Sequence, residues 1–534
     1  MHTPTSIHNF LDKHHSVTFQ LGWSTTIICL STLQFGFHLA ELNAPEDILA
    51  CNFHKPGPYP DYNDTFWSHH GYKQCIPMTQ EGVALITTMF TIGGLISSII
   101  LGATSISQKF GRKYMCLVSS LGYILGSLIM TLANNQISVN VGRFINGFAA
   151  GSSLIMSPIL INELTPINHR GLLGSLLQLA VTIGIFLSQI ISYFFSNDQQ
   201  WRFIFLCATG LGLIQFLTLF TVSESPKWMI MQGHDVKSAT NILHGLRSDK
   251  STVHYEINHW RQLSINEQNR KSESVDDTSA LLSESDSYDS LILPLVNQRN
   301  NNNSRSTAMA RKGSIDPSTV TTREFMFSKK YRNQFVAVIL LMTAQQLVGM
   351  NAITYYGVKI LNDLFGNHHE TDGDQVLILS CSFSFVNVLS AIAISPLIDR
   401  LGRRPLILLS IFICSICSLV IGVGIINQYD VAVITACFGF IIGFSIGLGP
   451  IPFLMISELS GHEVVSIAQS VGTSTNWLAN ILIAFGFPIL QNSIGGSVFF
   501  IFLVNSIGYL FAIWYYVPET KGYNSVQDVW DNFT

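Results

Sequence analysis

The chain has 534 residues, of which 48% are apolar and only 12% charged, and its formal net charge is -4 at pH 7. A charged share about half the usual ~25% excludes an ordinary soluble globular protein. The near-neutral balance, with no basic stripe among aromatics, excludes a nucleic-acid binder.

The apolar residues fall in blocks of about 20, the length that crosses a hydrocarbon core of roughly 30 Å as a helix. The first predicted span is 20–40. No small-residue cleavage site follows it, so it reads as a retained helix and not a cleaved leader. A polar loop comes next, with Cys51 and Cys75 flanking the glycosylation acceptor Asn63-Asp64-Thr65. In an oxidising compartment the two cysteines could pair; two separate thiols is the equal alternative. The other seven cysteines lie in apolar blocks, where Cys acts as a small hydrophobe.

Five further spans, 83–104, 114–133, 139–160, 171–194 and 203–222, complete a first set of six. A long hydrophilic segment, roughly 223–330, follows. Its start, to about Arg247, suits short amphipathic helices. From Ser251 to Ser318 it is rich in Ser, Asn and Asp and reads as disordered. The second set is 335–357, 375–398, 405–426, 431–455, 467–490 and 498–517. Backbone groups in lipid must bond internally, so each span is predicted as a helix.

Lys and Arg set the orientation. Loops after even-numbered spans hold Lys109, Arg112, Lys113, Arg170, Arg400, Arg403 and Arg404, and the opposite loops hold few such residues. Both termini are therefore expected in the cytosol, with the Cys51–Cys75 loop on the other side. The chain also repeats itself. Gly111-Arg112-Lys113 follows span two and Gly402-Arg403-Arg404 follows span eight, and 61 residues separate both Glu163 from Glu224 and Glu458 from Glu519. The expected fold is thus an all-α membrane protein, twelve transmembrane helices in two pseudo-symmetric six-helix bundles. The bundles are 1–222 and 331–534, joined by the central loop 223–330. Paired halves are the build of many secondary transporters, with the substrate site between them.

At this point several motifs resemble a known family. Gln345-Gln346-Leu347-Val348-Gly349-Met350-Asn351 resembles the seventh-helix signature of the sugar porters, members of the major facilitator superfamily. Val517-Pro518-Glu519-Thr520-Lys521-Gly522 resembles that family's ending, and Gly142-Arg143-Phe144, Arg170-Gly171, Gln178-Leu179 and Asn476-Trp477 fall at its spacing. Phe35-Gly36-Phe37-His38 through Ala44-Pro45 is similar to the yeast vacuolar branch. The resemblance implies the major facilitator fold, alternating access, no enzymatic step and no cofactor. It implies as partners a small-molecule sugar and the bilayer.

A hexose presents hydroxyls that donate and accept, and apolar C–H faces. Amide side chains match the first and aromatic rings the second. The candidate sugar contacts are Gln178, Gln345, Gln346, Asn351, Asn387, Asn476 and Asn480, with Trp477 and Phe453 as walls. The resemblance matches these positions to the family's sugar-contacting residues. The plainer reading, amides that only tie helices together, stands beside it. A local break at Gly349 would help Gln345 and Asn351 point inward.

The resemblance also implies a cytosolic salt-bridge gate of Arg112, Glu163, Arg170 and Glu224 in one half and Arg403, Glu458 and Glu519 in the other. Val465 stands where the family usually has an Arg, which suggests a weaker second lock. Proton-coupled relatives resemble one another in an Asp on helix one; here the residue is His38, with Glu41 three residues on. Facilitated diffusion of a hexose is the favoured function. Proton-coupled sugar or inositol transport through His38 and a non-transporting sugar sensor are the alternatives. Asp277 with Leu281 and Leu282 has the pattern of a dileucine sorting signal, a contact for a sorting adaptor that favours the vacuolar over the plasma membrane. A monomer is expected.

Overall fold

The computed structural model describes residues 17–52, 54–103, 110–166, 169–248, 252–262, 264–265, 322–365, 373–461, 464–523, 526–531 and 533. The predicted Asp277, Leu281 and Leu282 lie outside the described residues, as does the side chain of Arg170.

Twelve spans are formed among the described residues. They are α1 (Phe19–Ala40), α2 (Gln80–Ala103), α3 (Arg112–Thr131), α4 (Gln136–Leu164), α5 (Arg170–Phe195) and α6 (Arg202–Leu219), then α7 (Arg332–Leu347 continued by Met350–Phe365), α8 (Gly373–Leu401), α9 (Arg403–Asn427), α10 (Asp430–Ile446 continued by Ile451–Leu459), α11 (Val465–Ile494) and α12 (Val498–Tyr516). Among the described residues, ten stretches, the last holding both α11 and α12, are long and apolar enough to cross a membrane. α1 is more polar because Ser24, Thr25, Ser31, Thr32, Gln34 and His38 all turn inward and are buried. Apolar side chains such as Leu125, Phe412, Val504 and Phe511 stay exposed on the outside of the bundles, where lipid covers them.

Local chemistry sets the ends. Thr18 caps α1 by accepting from the Leu21 amide at 3.2 Å, and Asn135 caps α4 by accepting from Ser138 at 2.8 Å. α4 runs past the predicted 160, through Pro158 to Leu164, so Glu163 sits in its last turn. Span seven breaks at the expected glycine, and span ten, predicted as a single helix, is broken too. α7 breaks at Gly349, whose φ of +111° suits a residue without a Cβ. α10 breaks between Ile446 and Ile451, where Gly447, Gly449 and Pro450 interrupt the ladder.

Small residues let helices pack backbone to backbone. A Cβ on Gly36 would stand 2.0 Å from the Val181 carbonyl oxygen, and one on Gly147 would stand 1.9 Å from that of Phe90. These contacts join α1 to α5 and α2 to α4, the way membrane helices associate without a hydrophobic driving force. The two halves meet along α2 with α11 and α5 with α8.

At one end, here the disulfide face, Cys51 and Cys75 are bonded. Their loop is pinned by Arg202, which donates to the carbonyls of Thr131 (2.9 Å), Ala133 (2.7 Å) and Lys73 (2.8 Å). At the other end, the gate face, the central segment forms helices Pro226–Met231 and Val236–Leu246 and a third over 252–262. The third corrects the expectation that order ends at Ser251. Val253, Ile257 and Trp260 line one helical face and bury against Ile230 and Leu243.

Candidate functional site

The break in α7 places four amides in one hydrogen-bonded group. Asn351 Nδ2 donates to Gln346 Oε1 at 2.6 Å, and Gln346 Nε2 donates to Asn476 Oδ1 of α11 at 3.0 Å. Asn476 Nδ2 donates to Gln345 Oε1 at 2.7 Å and to the Met342 carbonyl at 3.1 Å. All four are at most 9% exposed, so none faces lipid. Each amide nitrogen has two hydrogens and each oxygen two lone pairs. The network therefore keeps capacity on Gln346 and Asn351 for a guest hydroxyl.

Gln345 differs from its neighbour. Its Nε2 donates to the carbonyls of Leu448 (3.0 Å) and Gly449 (3.1 Å), which the break in α10 leaves without helix partners. Both its hydrogens are thereby committed, and its first task is to satisfy backbone in an apolar setting.

The remaining predicted contacts divide. Asn480, one turn beyond Asn476, accepts from the Tyr355 hydroxyl at 3.1 Å. Asn387 is buried but accepts from Ser445 at 2.8 Å, apart from the amide group. Phe453 packs, partly buried, against the cluster that holds Phe325, Tyr331, Val338 and Met342. On the other half, Gln178 of α5 is half-buried and makes no side-chain hydrogen bond to a described residue. Trp477 spans the two halves. Its ring meets Phe35 of α1 and Phe90 of α2 edge-on at 5.9 Å each and lies against Gly94, while its buried Nε1–H has no partner among the described residues. An open apolar groove of about 790 Å³ between α9 and α10, lined by Ile416, Val420 and Val431, is remote from these polar groups.

A second buried polar group surrounds His38. Its Nδ1 lies 3.0 Å from Glu41 Oε2, and its ring stacks on Tyr123 at 5.0 Å. Arg143 of α4 donates from Nη1 to Glu41 Oε1 and to the His38 carbonyl, both at 2.8 Å, and its guanidinium lies 4.6 Å over Phe90. His38, Glu41 and Arg143 have no solvent exposure. Sequence reasoning gave Arg143 no role. The signal was available: an arginine inside an apolar span needs a partner or a function.

At the gate face the two halves repeat one arrangement. Arg112 Nε meets Glu163 Oε2 at 3.3 Å, and Arg403 Nη2 meets Glu458 Oε1 at 3.1 Å. Glu224 accepts from the Lys113 amide at 3.0 Å and Glu519 from the Arg403 and Arg404 amides at 3.0 Å, so each carboxylate caps a helix start. Gly111 and Gly402 leave room for them: a Cβ would stand 2.1 Å from Glu224 Oε2 or 2.8 Å from Glu519 Oε2. Each of these pairs stays within its own half. Across the halves, hydrogen bonds join both ends: Ser175 and Ser395 hydroxyls meet at 3.1 Å and Ser470 donates to the Ser98 carbonyl at 3.5 Å nearer the gate face, and others lie toward the disulfide face. Asn43 accepts from the Val358 amide at 3.0 Å, and Ser380 donates to Gln189 at 3.0 Å.

Residues 24–296 and 284–527 match the family described as sugar (and other) transporter. The chain belongs to that family. This sugar-porter chain is 32% identical to a probable metabolite transport protein of Saccharomyces cerevisiae over 97% of its own length and 96% of the relative's. It is 31% identical to vacuolar protein sorting-associated protein 73 of the same yeast, over 95% of each chain. Its fold matches the solved proton:xylose symporter XylE with a TM-score of 0.68, at 18% identity over 96% of this chain and 99% of that one. The protein is thus a multi-pass membrane transporter, not an enzyme, and it shares the fold of that symporter.

Proposed function

We propose that this transporter carries a hexose by facilitated diffusion through alternating access. The observation that carries the reading is the amide group Gln346–Asn351–Asn476, buried beside the interface of the two halves. Amides already bonded to one another can exchange those bonds for hydroxyls at little cost, because donors and acceptors stay paired throughout. Gln178 supplies an uncommitted amide from the other half, and Trp477 offers an aromatic face for the sugar's C–H surface. The disulfide-face bonds Asn43–Val358 and Ser380–Gln189 must break for that face to open. The pairs Arg112–Glu163 and Arg403–Glu458 hold the gate-face helix ends together inside each half, so each half can move as a body while the cross-half contacts exchange between states. The gate face is the cytosolic one on its arginines and lysines, with both termini there. The name of the yeast sorting-associated relative supports the vacuolar membrane.

The test is uptake of labelled glucose and fructose by liposomes containing only the purified protein, with and without a pH gradient. Saturable uptake independent of the gradient is the expected result. Absence of uptake of any hexose overturns the reading.

One observation favours a second reading, proton coupling. The His38 ring meets the Glu41 carboxylate, which also accepts from Arg143, and all three side chains lack solvent exposure, so a proton taken up here would act on the bonds of the whole group. It requires sugar-driven alkalinisation on the low-pH side that His38→Asn abolishes.

A further inference from the structure

The gate glutamates are each followed by a leucine, Leu164 after Glu163 and Leu459 after Glu458. Both leucines end their helices, α4 and the second part of α10. A helix leaves its last four carbonyls without intrahelical partners, and burial makes that costly. Here the two equivalent carbonyls receive side-chain donors from outside the membrane bundles. Arg247 Nη1 donates to the Leu164 carbonyl at 2.7 Å, and Trp530 Nε1 donates to the Leu459 carbonyl at 3.1 Å. Arg247 belongs to the central segment and Trp530 to the tail helix Val526–Asp531. The two segments are unrelated in sequence, yet they meet the two halves at matching atoms.

We propose that the central segment and the tail are matched clasps on the gate helices, with Arg247 and Trp530 as positioning residues for Glu163 and Glu458. Each fixes the turn that carries its gate carboxylate. The clasps differ in strength. Arg247 is charged, sits favourably at a helix C-terminus and is held by Glu256 through two bonds of 2.9 Å. Trp530 is a neutral donor seated by Val529, which is buried, and by the ring of Phe533 at 6.3 Å. The tail clasp is therefore the one that releases first, and it governs the second half's gate. This inference concerns the gate and not the cargo.

The test uses the full-length protein in liposomes and an impermeant thiol reagent, without sugar. Ser460→Cys and Thr165→Cys place probes beside the two carbonyls, at positions now 3% and 0% exposed. Val433→Cys, buried at the other end of α10, is the control. The cysteine-unaltered parent supplies the background rate. Trp530→Phe keeps the ring and removes the donor. It is expected to raise labelling at the Ser460→Cys probe about fivefold, the size of one neutral hydrogen bond, and to leave the control unchanged. Arg247→Gln is expected to do the same at the Thr165→Cys probe by a larger factor. Unchanged labelling in either variant overturns the clasp in that half, and a rise at the control as well marks general loosening and overturns both. Since no sugar is present, the outcome stands apart from the identity of the cargo. Where uptake is measurable, Trp530→Phe should alter kcat and leave KM unchanged; an altered KM at unchanged kcat counts against a role in the gate.

Discussion

Arg143 donates from Nη1 to Oε1 of Glu41 at 2.8 Å, and both side chains are sealed from solvent. Removing one partner of such a pair leaves an uncompensated buried charge, at a cost of about 3–5 kcal/mol. Arg143→Leu and Glu41→Gln should each lower the melting temperature in detergent sharply. The double variant should lose less than the sum of the two, because the cost comes from the orphaned partner. Additive losses would show that the pair is not energetically coupled.

The amides of α7 should separate by assay. Asn351→Ala and Gln178→Ala are expected to raise KM for hexose about tenfold, with normal membrane levels and melting behaviour. Gln345→Ala should instead cost stability of about 1–3 kcal/mol, since it orphans the Leu448 and Gly449 carbonyls. Thermal unfolding followed by Trp fluorescence, beside uptake, distinguishes the two classes.

Gly111 and Gly402 hold the space that the capping carboxylates occupy. Gly111→Ala should displace Glu224 from the Lys113 amide of α3, and Gly402→Ala adds strain at a φ of +98°. Both variants should transport at a small fraction of the normal rate while reaching the membrane. Glu519→Gln, which retains an acceptor for the same amides but loses the charge, should retain more activity than Gly402→Ala.

The bond between Cys51 and Cys75 closes a loop with a sequence separation of 24. Cross-links over loops of this size stabilise by about 3 kcal/mol, chiefly through the unfolded state. Reductant should lower the melting temperature, and the double variant Cys51→Ser/Cys75→Ser should start lower and not respond further.

Asn63 is exposed, and its sequon partner Thr65 caps the short helix Phe66–His69. Endoglycosidase should increase the protein's mobility on a gel, and Asn63→Gln should remove that shift. A non-glycosylated native protein would argue against the proposed orientation.

Much of the architecture is legible in the chain because lipid leaves a helix little choice. The apolar blocks near 114–133, 405–426 and 498–517 became α3, α9 and α12 within two residues at each end. The failures share a cause. α10 read as continuous because hydropathy does not register where the ladder is interrupted, although the Gly447–Pro450 stretch was in view, whereas the break of α7 at Gly349 was legible from the glycine between Gln345 and Asn351. The helix over 252–262 was missed because a single stripe of Val253, Ile257 and Trp260 is outweighed by its polar surroundings.

The candidate site was legible as residue types and not as roles. Gln345 and Gln346 are adjacent and chemically identical, but only the fold commits one to the carbonyls of α10 and leaves the other beside Asn476. Arg143 and Glu41 lie 102 positions apart, and nothing local pairs them. Composition and the apolar blocks determined a twelve-helix membrane protein, since helix formation in lipid is a local hydrogen-bonding requirement, and the repeated charged motifs gave its duplicated plan. Which amide is scaffold, which charge is buried with which partner, and which outside segment caps each gate helix depended on contacts between distant positions, and only close packing of the whole chain decides those.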